Sequence, residues 1–276
     1  MKRSSSWSTL ATALAVFLLA YPATLSAQSV WMGQRPPKSF SIEWLKPSFD
    51  GGDMGFLTSA LFLSGRVPLA ANVRLIAELP VAHVSSDSEF DDASDTAIGN
   101  PYLGIEFGES TGSASGEFGV RAPLTSSDNE ALFVGLLADF DRFEAFVPDF
   151  WSFHGQATLA SRSTSGFSVR LRGGPSLLIN TDKEAFEDGG ELYLAYSGQG
   201  WYAAGPVQIG AGVTGRMLVT EDDLSLGERS IHQGGLSLIA TLGKVQPGIY
   251  VKVPLDEDLK DSLNFVAGLN LTVFLD

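Results

Sequence analysis

Most of the chain alternates between apolar and polar residues in segments of about ten residues, which is the pattern of half-buried β-strands. Clusters of Gly, Ser, Asp and Asn separate these segments. The pattern predicts about twelve strands. The clearest are residues 72–84, 98–108, 114–124, 151–162, 166–180, 206–219, 231–243, 245–255 and 262–275, and the fainter ones are residues 39–49, 55–69 and 190–202.

Each segment divides its side chains between two chemically different faces. In residues 166–180, Phe167, Val169, Leu171, Leu177 and Ile179 alternate with Ser168, Arg170, Arg172, Ser176 and Asn180. A soluble β-sandwich would show the same alternation, but charges of both signs in the middle of the polar faces suit a water-filled lumen. The candidates for lining this lumen or forming a constriction are Arg74, Glu78, Glu106, Glu117, Arg121, His154, Gln156, Arg170, Arg172, Arg216 and Lys252.

The connections alternate between short turns and longer acidic loops. The turns at residues 68–72, 163–166 and 242–244 carry almost no acidic residues, whereas the longer connections are residues 85–95, 125–130, 181–190, 220–229 and 256–261. Short turns on one rim and long loops on the other are typical of outer-membrane barrels. We therefore predict an all-β fold, a transmembrane antiparallel up-and-down β-barrel of about twelve strands whose two ends share the short-turn rim.

One segment departs from the strand pattern. In residues 127–147, Ser127 and Glu130 have the spacing of a capping box, and apolar residues then recur at steps of three and four. Pro148 would end a helix there. We predict one amphipathic helix in the longest external loop, lying on the rim, in the lumen or on the outer leaflet. An extra hairpin that turns at residues 139–142, and so gives about fourteen strands, is the alternative.

The N-terminus has the layout of a secretory signal peptide. Lys2 and Arg3 precede the apolar run LATALAVFLLA, and a small residue, Ala27, follows at the expected cleavage position. The run is too short to span a bilayer comfortably, although a retained anchor is the alternative. We predict a signal peptide over residues 1–27, a periplasmic segment over 28–38 and a barrel over 39–276, in the outer membrane of a Gram-negative bacterium.

Composition removes several classes of function. The formal charge of −14 argues against nucleic-acid binding, and the absence of Cys excludes disulfides, thiolate metal sites and a thiol nucleophile. Gly99, Gly104 and Gly108 do not have the spacing of a dinucleotide-binding loop. We expect no cofactor and no metal centre.

The acidic loops offer carboxylates to Ca²⁺ or Mg²⁺, most densely at Asp256, Glu257, Asp258 and Asp261. Because no calcium-loop pattern occurs, a solvated rim is the favoured interpretation. Divalent bridging from this rim to lipopolysaccharide stays open.

His83 and Ser85 form an H-x-S sequence near a predicted strand end. An outer-membrane phospholipase has its His and Ser in the same arrangement, and a His can accept the proton of a Ser nucleophile. The Asn-Gly that follows in that family is replaced here by Ser86 and Asp87. We therefore interpret His83 and Ser85 as a polar pair at a strand end. His154 and His232 are expected to be isolated wall residues. We expect no enzyme activity.

The segments LPVAHV (79–84) and IGNPYLGIEFG (98–108), the APL and VPL strand ends at 122–124 and 253–255, and the C-terminal strand resemble a family of proteobacterial outer-membrane barrels. These are transporters grouped with the phenol meta-cleavage-pathway barrel proteins. The resemblance implies passage of small, often hydrophobic compounds. Such barrels usually end in an aromatic residue, whereas this chain ends in Leu275-Asp276.

The leading hypothesis is a passive outer-membrane channel for small solutes, with Arg170 and Arg172 facing Glu106, Glu117 or Arg121 in a constriction. The second is a sealed structural or surface-interaction barrel in which these charges pair and block conduction. The third is a lipid hydrolase at the rim. The expected partners are outer-membrane lipid and lipopolysaccharide, the barrel-assembly machinery through the C-terminal strand, and a small solute.

Overall fold

The structure is a computed structural model that describes residues 31–33, 36–49, 55, 57–85, 94–108, 113–125, 127–161, 165–181, 190–221, 223 and 225–276. The predicted signal peptide lies outside these residues, as do most of the acidic connections 85–95 and 181–190. None of the helices in the described residues is long and apolar enough to cross a membrane.

Thirteen strands occur in this part of the chain, and twelve of them close a ring. Their bounds are β1 Ser39–Phe49, β2 Ser59–Ala70, β3 Val73–Ser85, β4 Ser94–Ile98, β5 Tyr102–Phe107, β6 Ala114–Arg121, β7 Phe150–Ala160, β8 Gly166–Asn180, β9 Glu191–Ala204, β10 Val207–Leu218, β11 Ser230–Ala240, β12 Val245–Pro254 and β13 Leu263–Phe274. Strands that are neighbours in the ring pair antiparallel, and β1 pairs with both β2 and β13, which closes the barrel. The predicted barrel of about twelve strands is confirmed.

The prediction of one strand over residues 98–108 needs a correction. Two strands share this position, because β3 pairs with β5 through residues 73–78 and with β4 through residues 81–85. Gly99, Asn100 and Pro101 separate β4 from β5. Pro101 has no N–H to donate to a neighbouring strand, so a break at this point is expected.

The two faces of the wall have opposite polarity. On β8, Phe167 and Leu171 are 67% and 51% exposed on the outside, whereas Arg172 is 9% exposed on the inside. Elsewhere on the inner face, Arg74 and Lys252 are each 1% exposed. Apolar outside and charged inside is the reverse of a soluble protein, and it is the arrangement of a barrel with a polar interior surrounded by lipid.

Both ends of the barrel lie at one rim, where Ser39 pairs with Phe274. We call this the turn rim, because the connections 71–72, 205–206 and 241–244 also lie there. The opposite edge, the loop rim, carries the long connection from β6 to β7 and the short helix α2, Glu257–Lys260.

The predicted helix over residues 127–147 is shorter than expected and interrupted. Helix α1 spans Ala131–Ala138, and a 3₁₀-helix follows at Phe140–Ala145. The predicted capping box is wrong, because Asn129 Oδ1 accepts the Ala131 N–H at 3.0 Å. The chain leaves the helical conformation at Asp139, whose side chain accepts from the N–H of Asp141. The alternative hairpin at residues 139–142 is also wrong, because these residues end α1 and begin the 3₁₀-helix.

Glycines on the inner wall make room for large side chains. A Cβ at Gly119 would lie 2.0 Å from the Tyr102 hydroxyl oxygen, and one at Gly104 would lie 2.5 Å from the same atom. The Tyr102 ring therefore lies flat against the wall, where its hydroxyl donates to Glu117. These glycines permit close packing and form no phosphate-binding loop.

Candidate functional site

The barrel interior contains an extended network of paired charges. All of the predicted lumen residues lie on the inner face. Arg74, Glu78, Glu106, Glu117, Arg121, His154, Arg172, Arg216 and Lys252 are buried, and Gln156 and Arg170 are half-buried. Burial of so many charges is tolerated only when each is compensated by hydrogen bonds and opposite charges.

One cluster belongs to the wall alone. The Glu106 carboxylate accepts from Arg74 Nε at 2.9 Å and also from Arg66. A second Arg74 nitrogen donates to the carbonyl oxygen of Gly108 at 2.6 Å, at the turn rim. These contacts join β2, β3 and β5. Glu106 is therefore paired with arginines of neighbouring strands.

A second part of the network is built around residues 127–147, which fold from the loop rim into the lumen. We call this segment the plug. Helix α1 contacts β1, β2, β3 and β4, and Leu132 and Leu137 belong to an apolar cluster with Leu45 and Phe62 of the wall. Phe146, in the same cluster, packs edge-to-face on Phe62 with ring centroids 5.7 Å apart. The plug therefore rests against one side of the barrel.

Arg142 is the central charge of the plug. Its guanidinium donates to Glu78 at 2.7 Å, to Asp139 at 2.6 Å and to Glu43. The group also lies 3.7 Å from the centroid of the Phe62 ring. One plug cation thus bridges carboxylates of β1 and β3, which are neighbours of β2 in the wall.

Two further ion pairs fix the plug to the other strands. Lys252 Nζ donates to Asp139 Oδ1 at 2.8 Å and to the carbonyl of Ala138 at 3.1 Å. Glu144 binds Arg216 on β10, and its other oxygen lies 3.3 Å from His154 Nδ1 on β7. Contacts of the plug therefore reach strands on several sides of the lumen.

These surroundings set the charge state of the plug carboxylates. Burial raises the pKa of Asp139, but the opposite effect of the cations Lys252 and Arg142 is larger. The pKa of Asp139 therefore lies below its usual value. Burial likewise raises the pKa of Glu144, and Arg216 and His154 bring it down to about 2. By contrast, burial and the Asp139 carboxylate both raise the pKa of Asp141. Asp139 and Glu144 are anions at neutral pH.

The residues that precede β1 also enter the lumen. Trp31 and Met32 are 1% and 2% exposed. Trp31 Nε1 donates to Asp141 Oδ2 of the plug at 3.0 Å, and the Met32 carbonyl accepts from Arg170 at 3.0 Å. The N-terminal segment therefore contacts the plug inside the barrel, although the two arise from opposite rims.

Asn100, at the break between β4 and β5, ties the end of the plug to the wall. Its backbone N–H donates to the Ala145 carbonyl at 2.7 Å, and its Nδ2 donates to the carbonyls of Glu144 at 3.1 Å and Val147 at 2.6 Å. Its Oδ1 accepts from the N–H groups of Leu124 at 2.9 Å and Thr125 at 3.2 Å. Plug residues thus bond to the wall where strand pairing is interrupted.

A small cavity of about 30 Å³ lies between the plug and strands β6 to β10. Four arginines line it, Arg121, Arg142, Arg172 and Arg216, together with Asp141, Glu144 and His154. Arg172 donates to Gln156 Oε1 at 2.9 Å. The predicted constriction placed Arg170 beside Arg172, but Arg170 lies outside this lining and donates to Gln199 at 2.9 Å.

The candidate hydrolase pair has a different geometry from a nucleophile and its base. His83 Nδ1 lies 2.8 Å from Thr96 Oγ1 on β4, and the Ser85 N–H donates to Thr58 Oγ1 at 3.0 Å. Within the described residues, no hydrogen bond joins His83 to Ser85. His232 was expected to be isolated, but it contacts Tyr196 at 2.6 Å and Asp256 at 3.1 Å.

Several residues of this site were missed by the sequence reasoning. Glu43 lies in one of the fainter strands, where its alternation with Ser39 and Ser41 could have assigned it to the inner face. Arg142 and Glu144 were treated only as parts of the predicted amphipathic helix, with no partners assigned to them. Nothing in the local pattern identifies the wall carboxylates that bind Arg142, 64 and 99 residues away, or the arginine that binds Glu144, 72 residues away.

No protein-family model matches the chain, and no curated protein sequence matches it significantly. Solved structures that share its fold include a porin and LpxR. The NanC porin aligns with a TM-score of 0.53 and 7% identity, over 86% of this chain and 100% of that chain. LpxR from Salmonella typhimurium aligns with a TM-score of 0.51 and 13% identity, over the same shares of each chain. At these identities the likeness concerns the fold, and the resemblance to the phenol meta-pathway barrels stays a prediction.

Proposed function

We propose that this chain is an outer-membrane channel for small solutes, closed in the present conformation by its plug. The observation that carries the proposal is the inverted polarity of the wall, with apolar residues outside and paired charges inside. Lipid would contact the outer face, and a charged lumen suits the passage of polar molecules. The shared fold with a porin agrees with this function without determining it.

The asymmetric seating of the plug supports a channel over a permanently sealed barrel. Helix α1 packs against β1 to β4, whereas the small cavity lies on the opposite side, against β6 to β10. We therefore expect a solute path to open along β7 to β10 when the plug moves.

The contacts of the plug also suit a reversible closure. Many of them are ion pairs, through Asp139, Arg142 and Glu144. Charged groups released from such pairs can be solvated by water in an opened lumen, so displacement does not leave them buried and unpaired. Displacing the α1 cluster costs more, because its leucines would lose their apolar contacts.

The decisive experiment replaces residues 127–147 with a short Gly-Ser linker and measures conductance in planar bilayers. We expect discrete single-channel steps from the deletion variant and rare openings from the intact protein. A heat-dependent shift in gel mobility checks that both proteins form barrels. A folded deletion variant without conductance steps would exclude a channel and leave the sealed structural or surface-interaction barrel.

The finer parts of the proposal concern location and partners. We place the barrel in the Gram-negative outer membrane after cleavage of a signal peptide, with lipid and lipopolysaccharide around the wall. Recognition by the assembly machinery would use β13, the strand that closes the ring against β1. Membership of the phenol meta-pathway group is testable through uptake of a hydrophobic solute by cells expressing the chain.

A further inference from the structure

The barrel wall is interrupted between β4 and β7. Pairing of β6 with its neighbours ends at Arg121, which lies opposite Tyr102 on one side and Ser152 on the other. Nearer the loop rim, β4 pairs with β3, and its other edge faces no strand within the described residues. Neighbouring strands lie about 4.8 Å apart, so one absent strand leaves a gap of about 10 Å between β4 and β7. We call this interruption the seam.

The plug fills the seam with groups that are not part of the sheet. A Cβ at Gly99 would lie 2.4 Å from the Ala145 carbonyl oxygen, so the plug backbone lies directly against the wall. Nearer the loop rim, the Asn129 side chain donates to the Thr96 carbonyl on β4 at 3.2 Å. A strand edge at membrane depth needs protein or water beside it, because lipid cannot hydrogen-bond its backbone. The plug therefore completes the wall at the seam as well as closing the lumen.

The sheet beside the seam is apolar on both of its faces. On the outside, Ile98 and Leu124 are 59% and 67% exposed. On the inside, α1 covers an apolar part of the wall on β1 to β4, made of Leu45, Ala60, Phe62, Ala82 and Ala97. The inner faces of β6, β8, β10 and β12 instead carry buried charges. Displacement of α1 would therefore uncover an apolar surface that leads from the lumen to the seam.

We propose that the seam is a lateral exit, through which an apolar solute passes from the lumen into the outer leaflet when α1 swings away. An apolar solute on the uncovered surface replaces contacts that the α1 leucines lose, so its binding favours the open state. Asn100 lies at the end of the seam nearest the turn rim, and its bond to Ala145 bounds the exit there. The inference rests on the proposed channel, because it adds apolar solutes that leave sideways to the polar solutes that pass between the rims.

The test uses the full-length chain, which contains no Cys, so engineered pairs of thiols can be bridged selectively. Ile98→Cys with Trp151→Cys places thiols on the outer face at either side of the seam, where 1,6-bis(maleimido)hexane can bridge them outside the plug. Leu159→Cys with Leu171→Cys is the matched pair in the uninterrupted wall, since these residues are partners on β7 and β8. Each pair is combined with Arg142→Met, which removes the ion pairs of the central plug charge.

Apolar passage is measured as entry of N-phenyl-1-naphthylamine into cells that express the protein, because this dye becomes fluorescent in a bilayer. Polar passage is measured as single-channel conductance of the same purified proteins. We expect Arg142→Met to raise dye entry at least fivefold over wild type. The bridge between positions 98 and 151 should remove most of that increase and leave conductance unchanged, whereas the bridge between positions 159 and 171 should change neither.

Unchanged dye entry in a conducting Arg142→Met variant would overturn the exit, as would equal effects of the two bridges or a parallel loss of dye entry and conductance. If Arg142→Met stays closed, the same pairs are measured in the chain whose residues 127–147 are replaced by the linker, with the same criteria. A barrel that conducts without admitting the dye loses only the exit. Dye entry that only the bridge across the seam blocks, in a barrel that never conducts, supports the exit and contradicts the channel between the rims.

Discussion

Replacing Arg142 with Met should release the plug while leaving the barrel folded. Met has a similar length and can occupy much of the apolar space over Phe62, but it cannot donate to Glu43, Glu78 or Asp139. The guanidinium reaches all three carboxylates, and the residue is only 4% exposed. The substitution thus removes the charge that links the plug to β1 and β3.

The size of the effect follows from what remains around each carboxylate. Removing one partner of a buried ion pair costs about 3–5 kcal/mol. Here Glu78 keeps Arg121, Asp139 keeps Lys252 and Glu43 keeps the Tyr250 hydroxyl. We therefore take the lower end, about 3 kcal/mol, as the loss in stability of the closed state. Because 1.4 kcal/mol corresponds to a tenfold change in an equilibrium constant, the ratio of open to closed barrels should rise about 100-fold.

Single-channel recording in planar bilayers measures this ratio directly as open time over closed time. Arg170→Met is the comparison variant, because it also removes a lumen guanidinium, one that contacts Gln199 and the Met32 carbonyl of the N-terminal segment, and it should raise the ratio far less than Arg142→Met. If Arg142→Met stays as closed as wild type while the plug deletion conducts, Arg142 does not hold the plug. Equal opening of both substitutions would contradict the reasoning as well.

Three further predictions concern the same closed state. Gly135→Val should open the barrel, because even a Cβ there would lie 2.4 Å from the Phe146 ring; conductance checks this, with gel mobility as the folding control. The pKa of Glu144, lowered to about 2 from an ordinary value of 4.5, makes its pair with Arg216 fully stabilising above about pH 4.5 and progressively weaker as the pH falls towards 2. Open probability should therefore stay constant from pH 7 to 5 and rise at pH 3, and a constant value down to pH 2 would contradict this. Trp31→Phe keeps most of the packing but loses the bond to the plug, so it should raise the open-to-closed ratio about fivefold to tenfold, and an unchanged ratio would show that this contact is not part of the closure.

The barrel could be predicted because the alternation of side chains between two faces is a property of each strand by itself. In β8, alternation alone assigned Phe167 and Leu171 to the outside and Arg172 to the inside, since successive side chains of a strand point to opposite faces. Closure followed from the regular sequence of short turns and long loops. The break at Asn100 was missed because a proline beside an apolar alternation is also compatible with an uninterrupted edge strand.

The site was less predictable because its contacts are distant along the chain. Arg142 and Glu43 are 99 residues apart, and no sequence period relates them. Apolar spacing suggested a helix at the plug, but the polar residues that end α1, above all Asp139, are also the ones that bind the wall. The local sequence pattern favoured one long helix. In the structure the helix is shorter, and residues beyond its end form ion pairs with Lys252 and Arg216 of the wall.

The bonds made by Asn100 define how the plug can move. Its Nδ2 and backbone N–H hold Glu144, Ala145 and Val147 at a residue that is 0% exposed, so this end of the plug is anchored in the wall. Helix α1 lies at the other end, beyond Asp139. Any motion that preserves the anchor is a rotation about Asn100 that swings α1 through an arc, and a straight withdrawal towards the loop rim would first have to break the anchor. Asn100 is thus the hinge about which the plug would rotate. A label on α1 should therefore report larger displacements than a label on Val147.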